Sequence, residues 1–183
     1  MRYLLSLSFI ILCLHLSIGQ IDKKHNICYH GYNELETELK QYKDSAITDL
    51  KIWLPHCDVS DETLKRSCSI DSIPPVIGSY DSLKTLRLYN VSGLASYAFI
   101  KNINNLRNLS IGGTYNIDYK TIGNLNQLEN LTFIETTISD EDLNHFIQMK
   151  NLKSLTLIAN FNITEYNVSL IQQKMPHCKI ILE

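Results

Sequence analysis

The residues best suited to chemistry in this chain are its cysteines, its histidines and one short acidic run. Six potential metal ligands lie near the amino terminus: His25, Cys28, His30, His56, Cys57 and Cys68. Their spacing lacks the paired C-x₂-C arrangement that many structural zinc sites use. The acidic run at 140–142 follows Ser139, which is typical of the start of a helix. We therefore predict no metal site.

Motifs for catalysis and nucleotide binding are not found in the sequence. There is no G-x-S-x-G, H-E-x-x-H or G-x-x-x-x-G-K-[ST] motif, and the pair Gly112-Gly113 is followed by no lysine placed to hold a phosphate. The 17 basic and 19 acidic residues give a net charge of −2, whereas nucleic-acid binding requires clustered positive charge. We therefore expect no enzymatic activity, no cofactor and no nucleic-acid partner.

The first nineteen residues have the layout of a secretory signal peptide. Arg2 precedes an apolar stretch from Tyr3 to Leu16, and the small residues Ser17 and Gly19 stand at positions −3 and −1 of a cleavage site. The apolar stretch is shorter than the roughly 20 residues that a transmembrane helix needs. We expect residues 1–19 to be removed and the rest to be secreted, extracellular or periplasmic, with no stable membrane anchor.

Four hexapeptides with one apolar pattern recur every 22 to 24 residues. Each has apolar residues at positions 1, 4 and 6, and position 9 is Val91, Thr114, Thr136 or Asn160. In a strand, positions 4 and 6 face the core, whereas positions 3, 5 and 7 face outward. A polar side chain at position 9 can satisfy backbone groups where the chain leaves the strand. The clean copies begin at Leu83, Leu106, Leu128 and Leu152, and weaker copies begin at Ile47 and Met175.

This pattern resembles the leucine-rich repeat family, whose units have 20–29 residues and the signature L-x-x-L-x-L-x-x-N/C-x-L. The resemblance extends from about Ile47 to Leu182, and residues 136–143 resemble the ribonuclease-inhibitor-like subclass, which has a helix in the returning half of the coil. It implies an α/β fold: a short right-handed solenoid with a parallel sheet on its concave face and short helices on its convex face. We expect this domain to span residues 47–183, with an irregular insertion at about 55–80.

The segment 20–46 is expected to cap the first coil, because the end coils of a solenoid otherwise expose their core. Tyr32, Leu35, Leu39 and Tyr42 have the spacing of the apolar face of an amphipathic helix. At the other end, residues 175–182 are expected to form the last strand, with Cys178 at its position 4.

The stacked coils restrict which cysteines can pair. Cys178 would lie at least five strand spacings, about 24 Å, from the first strand, whereas a disulfide needs Cα atoms within about 7 Å. We therefore predict that Cys178 is a buried free thiol. An extracytoplasmic chain permits a disulfide among the other three; we favour Cys28–Cys57, and Cys57–Cys68 or no bridge are the alternatives.

The outward positions of the sheet provide the candidate binding site. Position 7 is mostly apolar, although solvent-facing positions are usually polar. An exposed apolar patch with a polar rim is typical of an interaction surface, and Trp, Tyr and Arg are frequent in binding hot spots. Alternatively, position 7 tips back under the following loop and is partly buried. The candidate partner-binding residues are Lys51, Trp53, Arg87, Tyr89, Thr132, Ile134, Thr156 and Ile158.

Two classes of function fit this fold. In the first, the chain is a secreted non-enzymatic module that recognises a protein, or a surface glycan, through the concave face of the sheet. In the second, it is a structural or self-associating protein, and the apolar row or an end coil packs against another copy. We expect a monomer or a weak dimer in solution.

Overall fold

The computed structural model of the protein describes residues 24–28, 32–42, 46–53, 71–91 and 93–183. The predicted signal peptide, the first part of the predicted insertion, Cys57 and Cys68 lie outside these residues. Within the described ranges, no helix has the length and apolar character needed to cross a membrane.

Seven parallel strands form one sheet, and their order in space is their order along the chain. From β2 to β6, paired residues occupy the same position of the repeat. Each turn of the chain therefore adds one strand, which confirms the predicted parallel solenoid. The strands are β1 (Lys24–Cys28), β2 (Asp49–Trp53), β3 (Thr85–Tyr89), β4 (Asn108–Gly112), β5 (Asn130–Ile134), β6 (Ser154–Ile158) and β7 (Lys179–Leu182).

Short helices form the returning halves of the coils. Two of them begin at a side-chain cap: the Asp118 carboxylate accepts a hydrogen bond from the Thr121 N–H, and the Thr164 hydroxyl accepts one from the Asn167 N–H. The α-helices are α1 (Tyr32–Gln41), α2 (Tyr119–Gly123) and α3 (Glu165–Lys174). Short 3₁₀ helices span Pro75–Ser79, Ala98–Asn102 and Asp142–Phe146.

The core lies between the sheet and these returning elements. Positions 4 and 6 of β2 to β6 are all buried, as the leucine pattern predicts. The Phe133 ring packs edge-on against Tyr119, with 5.3 Å between centroids, and lies 5.7 Å from the Phe146 ring. Leu35 and Leu39 of α1 are fully buried over the first coil, which confirms the predicted cap helix.

The chain leaves each strand through the same turn. Position 8 has a left-handed backbone in all four clean repeats, with φ between 50° and 58°. Its N–H donates to the position 7 carbonyl of the next strand, as from Glu135 to Ile158 at 2.9 Å. At position 9, the buried Asn160 amide donates to the carbonyls of Phe133 and Ile158 and accepts from the Thr136 N–H. The polar side chain at position 9 therefore satisfies backbone groups, as predicted.

The amino-terminal cap contains a strand that the leucine pattern does not predict. β1 pairs with β2 along its whole length, and Cys28 lies at register position 7, opposite Trp53. The segment has no L-x-x-L-x-L pattern, so this strand depends on the open edge of β2, which offers unpaired backbone groups.

The last strand has a different register from the expected one. Ile180 pairs with Leu155, so Ile180 and not Cys178 occupies position 4. The Cys178 N–H donates to the Met175 carbonyl at 3.0 Å, as the position 1 residue Leu152 does to Met149. Cys178 therefore takes the place of position 1. It lies one residue before the start of β7, whereas Leu152 lies two residues before the start of β6. Cys178 is nevertheless buried, with 1% exposure, and free, as predicted.

Candidate binding face

Positions 3, 5 and 7 of β2 to β6 form one outward surface, which we call the concave face. The strand register places the eight candidate residues in two of its rows. The position 5 row contains Lys51, Arg87, Thr132 and Thr156, and the position 7 row contains Trp53, Tyr89, Ile134 and Ile158. All eight are half-buried. The structure thus brings them onto a single surface that is partly sheltered from solvent.

A charged aromatic cluster occupies the amino-terminal end of this face. The Lys51 Nζ lies 5.8 Å from the centroid of the Trp53 ring and 5.1 Å from that of the Tyr89 ring, within the distance at which a cation is attracted to a ring face. Arg87 forms an ion pair with Asp49, which lies at position 3 of the adjacent strand. Asp49 is not among the residues predicted for this face, although its position diagonal to Arg87 in the neighbouring strand is a signal that the sequence contains.

Tyr89 extends the apolar row across the next strand. A Cβ built on Gly112 would lie 2.6 Å from two carbons of the Tyr89 ring and 3.3 Å from the Ile134 Cβ. The Tyr89 hydroxyl is also hydrogen-bonded to the Ser110 hydroxyl, at 3.2 Å. The missing side chain at Gly112 therefore makes room for the ring, and position 7 stays continuous from Trp53 to Ile158.

The carboxyl-terminal part of the concave face carries no charge. Along position 3, the Asn130 amide donates to the Asn108 side-chain oxygen at 2.7 Å, and the Asn108 amide donates to the Thr85 hydroxyl at 3.0 Å. The face therefore has a cationic aromatic end and a neutral end. The outward residues of the neutral end are Asn108, Ser110, Gly112, Asn130, Thr132, Ile134, Ser154, Thr156 and Ile158.

The side chains of this face are suited to binding contacts. They supply an ammonium group, a guanidinium group, two aromatic rings, hydroxyls, amides and aliphatic carbons. Among the residues that the structure describes, no three or more His, Cys, Asp or Glu side chains are grouped so that they could hold a metal ion. The favoured Cys28–Cys57 disulfide involves a residue outside the described ranges and stays a prediction.

Neither a family model nor a curated protein sequence matches the chain. Among solved structures, an internalin from Listeria monocytogenes aligns with a TM-score of 0.50 and 18% identity, over 78% of this chain and 42% of that one. Internalin C2 from the same species gives a TM-score of 0.47 and 21% identity, over 78% of this chain and 64% of that one.

A leucine-rich repeat protein of Leptospira interrogans aligns with a TM-score of 0.41 and 18% identity, over 78% of this chain and 50% of that one. The chain spans less than two thirds of the length of each of these three proteins. At such identities a structural likeness bears on the fold and not on the function. The ordered parallel strands, the repeated turns and the first of these likenesses agree, and the fold of this chain is a leucine-rich repeat solenoid.

Proposed function

We propose that the protein is a secreted, non-enzymatic binding module that recognises a protein partner through its concave face. The observation that carries this proposal is the continuous apolar row at position 7. Trp53, Tyr89, Ile134 and Ile158 follow one another across the sheet, and the Tyr89 ring covers the gap at Gly112. A row of this kind beside cationic and hydroxyl-bearing positions has the composition of a protein interface, with an apolar centre and a polar rim.

The aromatic cluster is the expected anchor of this interface. Trp53 and Tyr89 are half-buried and in contact with Lys51, so part of their desolvation and ordering precedes binding. Large aromatic side chains in such settings dominate the binding energy of many interfaces. Asp49 neutralises Arg87, whereas Lys51 lies over two rings, so this end of the face suits a partner segment that carries a carboxylate.

The neutral end favours a protein over a glycan as the partner. Ile134 and Ile158 present aliphatic carbons beside the hydroxyls of Thr132 and Thr156. Burial of aliphatic carbons requires an apolar counterpart, which a protein surface offers and a polyhydroxylated sugar offers only weakly. A protein interface of standard size buries about 800 Å² on each partner, an area that spans several strands of this face.

Three further features belong to the same proposal. Secretion is supported by the signal-peptide pattern at 1–19, and the Cys28–Cys57 disulfide would fit an oxidising compartment. The ribonuclease-inhibitor-like subclass is supported by the ten-residue helix α3 in the last coil, whereas the segment that suggested this subclass leads into a 3₁₀ helix of five residues.

The test is a binding experiment with the full mature chain. A partner captured from the native extracellular medium is identified and then titrated against the double variant Tyr89→Ala/Ile134→Ala. We expect at least a tenfold loss of affinity, because two anchors of the apolar row are removed. The control is Gln173→Ala, at an exposed position of α3, which should bind as the wild type does. Unchanged affinity of a folded double variant would refute the proposal.

A second candidate function is self-association, and a separate surface supports it. Phe161 is 94% exposed, Tyr166 is 72% exposed and Leu170 is 37% exposed. Tyr166 and Leu170 lie one turn apart on α3, so they share one face of the helix. If these side chains pack against another copy, light scattering at micromolar concentration should show a dimer, and Phe161→Ser/Tyr166→Ser should restore the monomer. A monomeric wild type would rule this candidate out.

A further inference from the structure

An open cleft of about 640 Å³ lies at the edge of the sheet where the strands begin. Its walls come from the segments that precede β4, β5, β6 and β7, so it is separate from the positions that form the concave face. The volume falls within the range of about 300–1,000 Å³ that is usual for small-ligand sites. The sheet spaces these segments about 4.8 Å apart, so the residues that line the cleft are held at regular distances from one another.

The cleft carries a net positive charge in a chain whose net charge is negative. The cleft is lined by three basic residues, Arg107, Lys150 and Lys153, and by one acidic residue, Glu129. Arg107, Glu129 and Lys153 all occupy position 2 of consecutive repeats. The strand register therefore holds these charges side by side, and the local charge is +2 with His177 neutral, against −2 for the whole chain.

Glu129 organises two of the cations. The Lys153 Nζ donates to its carboxylate at 2.6 Å, and the Arg107 Nε lies 3.9 Å away. The hydrogen bond from Lys153 holds the pKa of Glu129 below its ordinary value, with smaller contributions from the charges of Lys153 and Arg107. Lys150 is in no ion pair with another described residue, so its charge is available to a ligand.

The rest of the lining is polar. Gln127 and Asn151 contribute side-chain amides, and Leu152 borders the cleft with its side chain buried in the core. The Asn151 amide donates to the Asn126 carbonyl at 2.8 Å, which leaves its side-chain oxygen as an acceptor. Cations suit carboxylate or sulfate groups, and amides suit hydroxyls. The lining contains no Phe, Tyr or Trp ring for a nucleobase to stack on, and the His177 ring nitrogen lies within hydrogen-bond distance of the Met149 carbonyl, at 3.3 Å. The lining also offers little apolar surface for a peptide side chain.

We propose that this cleft binds an anionic oligosaccharide, a sugar chain that bears sulfate or carboxylate groups. Lys150, Lys153 and Arg107 would contact the anionic groups, and Gln127 and Asn151 would contact the hydroxyls. This site is independent of the concave face, so one chain could bind a protein and an acidic glycan at the same time.

The test uses the full mature protein and a fluorescent heparin-derived tetrasaccharide, with binding followed by anisotropy. We expect binding that weakens at least fivefold between 50 and 200 mM salt, because it depends on charge. A hyaluronan tetrasaccharide, which carries carboxylates only, separates the two anionic groups: equal binding assigns the site to carboxylates, and weaker binding assigns it to sulfates. A neutral cellotetraose should not bind.

Variants separate this cleft from general surface charge. Lys150→Gln/Lys153→Gln should bind the tetrasaccharide at least tenfold more weakly. The matched control Lys101→Gln/Lys120→Gln removes the same charge from exposed positions outside the cleft and should change affinity less than twofold. Equal losses in the two double variants would overturn the proposal, as would binding of cellotetraose with similar affinity.

The variant Glu129→Gln is the most direct test of the sign of the ligand's charge. Glu129→Gln removes the one negative charge of the cleft, and we expect the tetrasaccharide to bind threefold to tenfold more tightly. Weaker binding to this variant would contradict an anionic ligand in this cleft, and tighter binding of an acidic phosphopeptide than of the tetrasaccharide would contradict a sugar ligand. Tyr89→Ala/Ile134→Ala should leave this binding unchanged, so failure here and failure of the proposed concave-face function are distinguishable.

Discussion

Replacing Ala159 by glycine should stabilise the protein, although the change removes a side chain. Ala159 occupies position 8 with φ of 51°, and the left-handed region costs a residue with a Cβ about 1–2 kcal/mol. Glycine avoids that cost but increases the entropy of the unfolded chain by about 0.4–1 kcal/mol. The difference is a net gain in unfolding free energy of about 0.5–1 kcal/mol.

The reverse change at the same repeat position should be strongly destabilising. Gly113 has φ of 56°, and a Cβ there would lie 2.2 Å from the Asn90 side-chain oxygen. Gly113→Ala therefore incurs both the left-handed cost and a displacement of Asn90. We expect a loss of about 2–3 kcal/mol, since overpacking alone costs about 1–3 kcal/mol.

Urea unfolding of the protein measures both effects, provided that the dependence of the unfolding free energy on urea concentration is the same in all variants. The control is Ala98→Gly at the exposed start of a 3₁₀ helix, outside the left-handed region. Its unfolding free energy should fall by about 0.5–1 kcal/mol, the usual cost of glycine in regular structure. Position 8 is not left-handed in solution if Ala159→Gly lowers the unfolding free energy as much as Ala98→Gly does and Gly113→Ala leaves it unchanged.

Three other predictions concern a buried amide, a buried thiol and a partly exposed carboxylate. Asn160→Ala should lower the unfolding free energy by about 3–5 kcal/mol in urea, because it leaves several buried backbone groups unpaired, whereas the exposed Asn104→Ala should be nearly neutral. Burial raises the pKa of Cys178 to about 11, so peptide mapping should show its alkylation by iodoacetamide at pH 8 slowed at least a hundredfold relative to the urea-unfolded chain; equal rates would contradict its burial. The hydrogen bond from Thr121 lowers the pKa of Asp118, so this carboxylate stabilises the fold above its unfolded pKa of about 3.9, and the stability is lost as the pH falls through the lower folded value. Asp118→Asn should reduce this acid sensitivity in urea titrations between pH 2 and 5, and an unchanged pH profile would show that Asp118 contributes nothing to it.

The sequence predicted that the eight candidate residues share one outward face, but it predicted neither the part played by Asp49 nor the geometry of the face. The 22- to 24-residue spacing was enough to place Arg87, Tyr89, Thr132 and Ile134 on one outward face, since equal repeat positions become neighbours in a parallel stack. The spacing does not predict that the Tyr89 ring lies over Gly112. A side-chain direction depends on which neighbouring positions are empty, and that is a property of the assembled sheet.

The two ends of the solenoid also have features that the leucine pattern does not predict. β1 has no leucine pattern and forms because β2 offers an open edge. At the other end, the hydrogen bond of Cys178 to Met175 is that of the first residue of a repeat. The pairing of Ile180 with Leu155 nevertheless puts position 4 two residues after Cys178, where the other repeats have it three residues after position 1. Local sequence cannot report such a shift, because register is decided by contact between strands.

By itself the sequence determined the number of clean coils, the inward leucines of β3 to β6 and the outward rows, because burial of one face imposes a strict period on the residues that form it. Only the tertiary structure decided the turn at position 8, where Glu135 and Ala159 adopt a backbone that their residue types disfavour. It also decided the grouping of Arg107, Lys150 and Lys153 around one cleft. Both depend on distances between coils, which arise only when the repeats are stacked.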